Sequence, residues 1–229
     1  MKLEICANSY QSAKNAQDAE AHRVELCQEL SVGGITPSYG LIQKVARELD
    51  IPVFVLIRPR GGNFVYTDDE FEIMKKDIEL CKELGCHGIV SGVLNPEGTI
   101  DLKRTKALIE LSQPLPFTFH RAFDEIEDSE KAIEQLIDLG ANRVLTSGKR
   151  QTAMEGIELL KALKMLVENR ITIMPGSGIN RTNASAFKKA GFEEIHASAS
   201  KVILQDGSLF FQPQTVSDVA KIKAILNEI

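Results

Sequence analysis

The chain alternates eight times between a strand-like segment and a helix-like segment. Each strand-like segment is short and rich in β-branched or aromatic residues, and residues with helical periodicity follow it. The eight segments are LEICA, RVELCQ, PVFVLIRP, HGIVSGV, PFTFHRAF, NRVLTSG, RITIMPGSG and EIHASA. Eight such units in 229 residues predict a closed (β/α)8 TIM barrel, forming a single domain over residues 1–229. An open, doubly wound sheet is the alternative.

The connections between these units repeat as well. Before the fourth, sixth and eighth strands, a helix is followed by Gly85, Gly140 and Gly191, where a helix C-terminus favours positive φ. Before the third and fifth strands, a proline separates helix from strand. The repeating unit is therefore βαβα, used four times, which favours the barrel over the open sheet. In the fifth helix we expect Ser129 to be the N-cap.

Composition excludes several classes of partner. The net charge of −5 provides no general basic surface for nucleic acid. The longest apolar run, PVFVLI, is too short to cross a bilayer, so no membrane association is expected. Glu4 interrupts any apolar signal-peptide core near the start, which indicates a cytoplasmic protein with reduced cysteines.

Alternation along the strands predicts which side chains face the barrel interior. Successive side chains point to opposite faces, and apolar residues such as Leu3 and Ile5 suit the face that packs on the helices. The side chains expected inside are those of Glu4, Cys6, Glu25, Cys27, Arg58, His120 and His196. The charged members of this set are candidate catalytic residues, because enclosed charges must pair or shift their pKa values. A purely structural ion pair between Glu25 and Arg58 is the alternative.

The fifth strand ends in a polar cluster of His120, Arg121 and Asp124. We expect His120 to act as an acid or base, or to orient a ligand, with its tautomer held by Glu25 or Asp124. Asp124 is itself a candidate catalytic residue. Arg121 should turn away from the interior and pair with Asp124 or Glu125.

The end of the seventh strand predicts an anion site. Its glycine-rich turn should leave backbone N–H groups open at the start of a helix, which we expect near Asn180 or Thr182. The predicted anion-binding residues, including two from the sixth and eighth strands, are Gly176, Ser177, Gly178, Ser147 and Ser198. Ordinary turn chemistry is the alternative interpretation.

Two arginines, Arg58 and Arg60, lie close together at the end of the third strand. Paired guanidinium groups suit an anionic or carboxylate ligand, so Arg60 joins the predicted anion-binding residues. The alternative is a loop held by ion pairs with Asp68, Asp69 or Glu70.

Cys6 and Cys27 are predicted on the same interior face of neighbouring strands. Two thiolates near a histidine could hold a soft ion such as Cu(I). Buried cysteines that only pack are the alternative. We interpret Cys81, on the apolar face of a helix, and Cys86, in the following link, as structural.

Five phrases of the sequence together resemble the CutC family, which is named for copper homeostasis. They are ELCQELSVGGITPS, IRPRGGNFVYTDDE, TFHRAFDE, RVLTSG and MPGSGIN, and the resemblance runs in order from Glu4 to about Ser198. It implies a (β/α)8 barrel, a cytoplasmic location and Cu(I) binding, with Cys6 and Cys27 matching the family's proposed copper ligands. The sequence departs from the family at a turn, where it has Ala21 and His22 instead of the usual Gly-Ala.

Two hypotheses for function follow from these features. One is a copper-binding homeostasis protein that uses Cys6 and Cys27. The other is an enzyme of unassigned lyase-like or isomerase-like acid–base chemistry on a small anionic substrate, phosphorylated or not. The expected partners are thus a copper ion or a small anionic ligand. The helical outer faces and the segment SLFFQP also predict a homo-oligomer, either dimer or tetramer.

Overall fold

A computed structural model describes residues 1–203 and 214–229 of the chain. Its central feature is a sheet of eight parallel strands. The strands are β1 (Lys2–Ala7), β2 (Arg23–Leu26), β3 (Val53–Leu56), β4 (Gly88–Ser91), β5 (Phe117–Phe119), β6 (Arg143–Thr146), β7 (Thr172–Pro175) and β8 (Glu194–Ala197). All eight strand-like segments of the sequence therefore form strands, as predicted. The domain limits 1–229 stay a prediction.

The strands follow one another around the sheet in chain order, and β1 pairs with both β2 and β8. The remaining edge, between β7 and β8, is joined by a parallel bridge between Gly176 and His196. The sheet is thus a nearly closed barrel rather than an open sheet, which confirms the predicted (β/α)8 fold. In such a barrel the carboxyl ends of all strands meet on one face, where sites form.

Helices follow the strands in alternation. They are α1 (Tyr10–Asp18), α2 (Tyr39–Glu48), α3 (Asp68–Glu83), α4 (Leu102–Ser112), α5 (Ser129–Asp138), α6 (Ile157–Val167), α7 (Ala184–Lys189) and α8 (Val219–Leu226). In α3, Met74, Ile78 and Cys81 are buried on one stripe that packs on the barrel, as the helical spacing predicts. No helix within the two described ranges is long and apolar enough to cross a membrane.

Local signals explain where the helices begin and end. Thr67 and Glu70 form a capping box at the start of α3. Gly85 follows the same helix at a φ of 77°, and the corresponding glycines after α5 and α7 also have positive φ, as predicted. The predicted N-cap Ser129 is wrong by one residue. The carboxylate of Asp128 accepts a hydrogen bond from the Lys131 N–H, so Asp128 is the cap and Ser129 begins the helix.

Side-chain alternation divides the core into two layers. Phe117 and Phe119 are fully buried in the large layer between the strands and the helices. A smaller cluster of strand and strand-end residues fills part of the interior, and it includes Cys6 and Cys27, as the alternation predicts. Its members are Cys6, Cys27, Phe54, Leu56 and Val90. Interior positions are therefore assigned by strand geometry, and they include polar residues that an apolar core would exclude.

An antiparallel hairpin follows the barrel. Strands β9 (Ser200–Ile203) and β10 (Gln214–Ser217) pair with each other and not with the main sheet. The sequence patterns did not indicate this hairpin. The segment SLFFQP, which contributed to the predicted oligomer, lies outside the described residues, and the homo-oligomer stays a prediction.

Candidate functional site

Two cysteine thiols meet inside the barrel. Cys6 lies on β1, and Cys27 directly follows the neighbouring strand β2. Their Sγ atoms are 3.6 Å apart, both side chains are buried, and both cysteines are free. The prediction that they share the interior face is confirmed. Their role as metal ligands stays a prediction.

Glu4, Glu25 and His196 form a second interior cluster, on the adjacent strands β1, β2 and β8. The Nδ1 atom of His196 lies 2.9 Å from Glu4 Oε1 and 3.6 Å from Glu25 Oε2. One potential ligand atom from each residue lies within 4.8 Å of the other two, so the group could hold a metal ion. The predicted interior positions of all three are confirmed. Sequence spacing did not indicate a metal-binding group, because the residues come from strands far apart in the chain.

Arg23 is the main cation next to this cluster. Its Nε donates a hydrogen bond to Glu4, and its Nη2 donates to Glu194 Oε2 at 2.5 Å. Arg143 donates to the same Glu194 oxygen at 3.0 Å. Both guanidinium groups also lie over the Phe54 ring, 4.6 and 4.8 Å from its centroid. The interior therefore holds an extended ion-pair network toward the amino ends of the strands.

Arg23 and Glu194 were not among the predicted residues. Each lies two positions before a residue that was, Glu25 and His196 respectively. The alternation that placed the later residues inside applies equally to the earlier ones. This signal was present in the sequence and would have identified both.

The electrostatics of the cluster give its members different protonation states. Burial opposes ionisation of Glu4, but Arg23 and His196 outweigh burial and lower the pKa of Glu4 to about 2. Burial raises the pKa of Glu25 to about 7. Burial acts to lower the pKa of His196, but the two carboxylates and Cys6 raise it well above its usual value. At neutral pH, Glu4 is a carboxylate, His196 is an imidazolium, and Glu25 can exchange a proton.

Arg58 lies inside the barrel mouth, but it does not pair with Glu25, so the structural ion pair considered as an alternative is wrong. Its Nη1 donates to the carbonyls of Val32 and Gly34, at 2.7 and 2.8 Å. Its Nη2 donates to the carbonyl of Gly62 at 2.6 Å. Backbone carbonyls of two loops thus fix the guanidinium plane without neutralising its charge.

His120 directly follows β5 and is buried, as predicted. Its Nδ1 accepts a hydrogen bond from the Ala122 N–H at 3.2 Å, so the predicted orientation by Glu25 or Asp124 is wrong. Because Nδ1 accepts, the neutral ring carries its proton on Nε2. Burial, assisted by Arg58, lowers the pKa of His120 to about 3. The ring is therefore neutral at physiological pH, which favours a ligand-orienting role over proton transfer.

Asp124 lies outside the interior cluster, in a short 3-10 helix after β5. It accepts hydrogen bonds from Arg121 Nε at 2.8 Å and from Thr146 Oγ1 at 2.5 Å. The backbone N–H groups of Ser147 and Lys149 donate to it at 3.1 Å. The predicted pairing of Arg121 with Asp124 is confirmed. These donors occupy the carboxylate oxygens, as is typical of a loop-stabilising residue, and its catalytic role stays a prediction.

Arg60 is held by the loop that contains it. Its Nε donates to Glu70 Oε1 at 2.5 Å, and its other nitrogens donate to the carbonyls of Gly61, Asn63 and Val65. This is the ion-paired loop that the sequence left open as the alternative. The ion pair with Glu70 engages Nε of Arg60, and anion binding by Arg60 stays a prediction.

The predicted anion donors of the β7 turn are partly used within the chain. The Gly176 N–H donates to the Thr146 carbonyl at 3.0 Å, and Ser177 Oγ donates to the Gln151 carbonyl at 2.6 Å. Ser147 Oγ lies 3.0 Å from a carboxylate oxygen of Asp124 and interacts with it. Anion binding at these residues stays a prediction.

The helix after this turn begins later than predicted. Helix α7 starts at Ala184 and has six residues. The side chain of Asn180 accepts a hydrogen bond from the Thr182 N–H at 2.8 Å, and this local turn replaces the expected first helical turn. Gly178 and Ser198 line a cavity of about 500 Å³ beside the β7 and β8 ends.

Comparison with known proteins shows which protein family the chain is similar to. A model of the CutC family matches residues 1–201. The chain is 48% identical over 200 residues to a family protein CutC from Xanthomonas campestris pv. campestris (strain 8004), covering 87% of this chain and 83% of that relative. It is 45% identical over 216 residues to the copper homeostasis protein cutC homolog of Homo sapiens, covering 94% of this chain and 78% of that relative.

Solved structures agree with the match to the CutC family. A CutC protein from Streptococcus agalactiae superposes with a TM-score of 0.82 at 39% identity, over 86% of this chain and 98% of that one. A 3-hexulose-6-phosphate synthase superposes with a TM-score of 0.65 at 18% identity, over 100% of both chains, and shows the barrel fold alone. With a family model over most of its length and relatives this similar, the chain belongs to the CutC family.

Proposed function

We propose that this protein binds Cu(I) through Cys6 and Cys27 and acts in copper homeostasis. The observation that carries the proposal is the 3.6 Å separation between the two Sγ atoms. The human relative is named a copper homeostasis protein cutC homolog, and the proposal extends that role to this chain. It places the protein in the cytoplasm, where reducing conditions keep both thiols free.

The donor set suits Cu(I). Thiolate sulfur is a soft ligand, and soft ligands select Cu(I) over the hard cations. The two sulfurs lie closer together than the span of two metal–sulfur bonds of roughly 2.3 Å each. A single ion could therefore bind both sulfurs without a large movement of β1 or β2.

Proton release must accompany this binding. The hydrogen bond between the Cys6 and Cys27 thiols, together with burial, raises the pKa of the Cys6 thiol well above its usual value. Only the deprotonated thiolate is a metal ligand, so protons compete with the ion. Glu25, whose pKa burial raises to about 7, is the neighbouring group best able to accept such a proton.

Removal of the two thiols tests the proposal. A Cys6→Ser, Cys27→Ser double variant should lose Cu(I) binding, measured against a competing chelator under reducing conditions. Cys81 and Cys86 provide the matched control, because they are also buried, free and adjacent, but lie in the outer core layer. A Cys81→Ser, Cys86→Ser variant should bind as the wild type does. Unchanged affinity in the first variant would show that its thiols only pack.

A second candidate function is an enzyme with acid–base chemistry on a small anionic substrate. The observation that favours it is Glu25. This side chain is buried, its pKa is raised to about 7, and its Oε2 has no hydrogen-bond partner in the described part of the chain. A carboxyl group in that state is suited to take a proton from a substrate near neutral pH.

Exchange of a substrate C–H hydrogen for deuterium tests the second candidate function. Protein purified natively would be analysed by mass spectrometry for retained small molecules, and the retained molecule would be incubated with enzyme in deuterated water. Wild-type protein should incorporate deuterium into a C–H bond, and Glu25→Gln should not. The exposed residue Glu110 serves as control, so Glu110→Gln should behave as wild type. Wild-type protein that exchanges no C–H bond would exclude this chemistry for that molecule.

A further inference from the structure

Two buried side-chain N–H donors at the barrel mouth have no hydrogen-bond partner among residues 1–203 and 214–229. They are Nε2 of His120 and Nε of Arg58. Both side chains are almost fully buried, at 4% and 5% exposure. A buried donor left without a partner costs about 1–3 kcal/mol, and more when it is charged, so such groups call for an explanation.

The protonation of His120 makes its Nε2 a donor and not a metal ligand. Its Nδ1 already accepts from the Ala122 N–H, which places the proton of the neutral ring on Nε2. The ring position is also fixed by packing. A side chain at Gly92 would bring its Cβ within 2.8 Å of His120 Nδ1, so only glycine permits this close approach. The result is a rigid N–H group that can serve only an acceptor atom.

The charge on Arg58 is uncompensated in the same region. Its three hydrogen bonds go to backbone carbonyls, and no carboxylate of the described residues forms an ion pair with it. A guanidinium group is always ionised, so its burial favours binding of an anion. This contrasts with Arg23, Arg60 and Arg143, each of which has a glutamate partner.

The two donors share a neighbour. The Phe64 ring lies 4.8 Å from the His120 ring centroid and 4.8 Å from the Arg58 guanidinium carbon. Arg58 follows β3 and His120 follows β5, so both lie at the carboxyl end of the barrel, where ligands bind. Phe64 is partly exposed and provides an apolar surface between them.

We infer that Arg58 Nε and His120 Nε2 bind the carboxylate-bearing end of a small organic acid at the barrel mouth, against the ring of Phe64. Arg58 supplies the charge, and His120 supplies a neutral hydrogen bond to a carboxylate, carbonyl or hydroxyl oxygen of the same molecule. The site uses neither Cys6 nor Cys27. Cu(I) binding and organic-acid binding can therefore fail independently.

A titration that observes His120 directly tests this site. The Nε2–H signal would be followed by NMR in protein with 15N-labelled histidine, and assigned among the four histidines by its loss in His120→Phe. The probes are acetate, pyruvate and malonate at up to tens of millimolar, with inorganic phosphate and chloride for comparison. The titration would be repeated on copper-free Cys6→Ser, Cys27→Ser protein, which should respond as wild type does.

The expected result is a saturable shift of the His120 Nε2–H signal with at least one carboxylate. Calorimetry should then show that His120→Phe and Arg58→Gln each bind that carboxylate with an affinity lower than that of the wild type by about tenfold or more. Arg170→Gln, which changes an exposed arginine, should leave the affinity unchanged. Since Arg58 also holds its loop, the His120→Phe measurement stands alone if Arg58→Gln does not fold. A signal that no carboxylate shifts, one that responds to phosphate alone, or full affinity in His120→Phe would each overturn the inference.

Discussion

His196 and Glu4 form an ion pair enclosed by the barrel, with His196 Nδ1 2.9 Å from Glu4 Oε1. The pair joins β8 to β1, the last and the first strand of the barrel. With its pKa lowered to about 2, Glu4 contributes stability above its ordinary pKa of 4.5, and this contribution is lost as pH falls through about 2. His196, with its pKa raised, contributes stability below its ordinary pKa of 6.5, which is lost as pH rises through the folded-state value.

Glu25 should make the protein less stable as pH rises from 4.5 to about 7. The folded state holds the Glu25 proton up to about pH 7, whereas the unfolded chain releases it near pH 4.5. The unfolded state binds fewer protons in this window, so the free energy of unfolding falls as pH rises. Glu25→Gln should remove a decrease on the order of 1–3 kcal/mol, measured by urea unfolding across this range.

The control for this experiment is Glu110→Gln, which changes an exposed glutamate on α4. Its unfolding free energy should follow pH as the wild type's does. Parallel curves for wild type and Glu25→Gln between these pH values would contradict the raised pKa of Glu25.

Loss of Arg23 should be strongly destabilising. Arg23→Met removes the cation that pairs with Glu4 and Glu194, and leaves buried carboxylate charge that Arg143 and His196 only partly neutralise. Breaking a buried pair from one side costs roughly 3–5 kcal/mol. Chemical denaturation would measure the change in the free energy of unfolding.

Arg170→Met is the matched comparison for Arg23→Met, since Arg170 pairs with Glu134 on the surface. Its cost should stay below about 1 kcal/mol. Equal destabilisation by the two substitutions would show that the interior network contributes no more than a surface ion pair.

Cu(I) affinity should rise with pH if Cys6 and Cys27 bind the ion. The raised pKa of the Cys6 thiol means that its proton must leave before the thiolate can bind. The dissociation constant should fall by up to about tenfold per pH unit for each proton released. Chelator competition at about pH 6, 7 and 8 would measure this change in the dissociation constant. An affinity that does not change with pH would argue against these thiols as the ligands.

Gly92→Ala should displace His120. The added Cβ would lie 2.8 Å from the ring, so the ring must move and its hydrogen bond to Ala122 must weaken. We expect about 1–3 kcal/mol of destabilisation and a changed His120 Nε2–H signal in the NMR spectrum.

Gly40→Ala is the control for Gly92→Ala. Gly40 lies in α2, and a Cβ there would meet open space, so this change should stabilise the protein by about 0.4–1 kcal/mol. An unchanged His120 signal in Gly92→Ala would mean that the ring is not held by this contact.

Much of the barrel interior was predictable from local sequence. Alternation placed Glu4 and Cys6 on one interior face, because successive side chains of any strand point to opposite sides. The same rule applied from Glu25 and His196 would also have placed Arg23 and Glu194 inside. The start of α7 was predicted wrongly, because a hydrogen bond to the side chain of Asn180 forms a local turn in place of the first helical turn. The spacing of apolar residues does not reveal such side-chain hydrogen bonds.

The sequence by itself determined the eight strands, their order along the chain and which of their side chains face inward. Strand formation and side-chain alternation depend on the backbone geometry within each segment. Only the tertiary structure decided the hydrogen-bond partners of these side chains. Arg58 binds loop carbonyls instead of Glu25, and His120 binds a backbone N–H instead of a carboxylate. These choices depend on the stagger between strands and on the paths of their loops, which bring together atoms far apart in the chain. The 3.6 Å contact between Cys6 and Cys27 is set in the same way, by the register of β1 against β2.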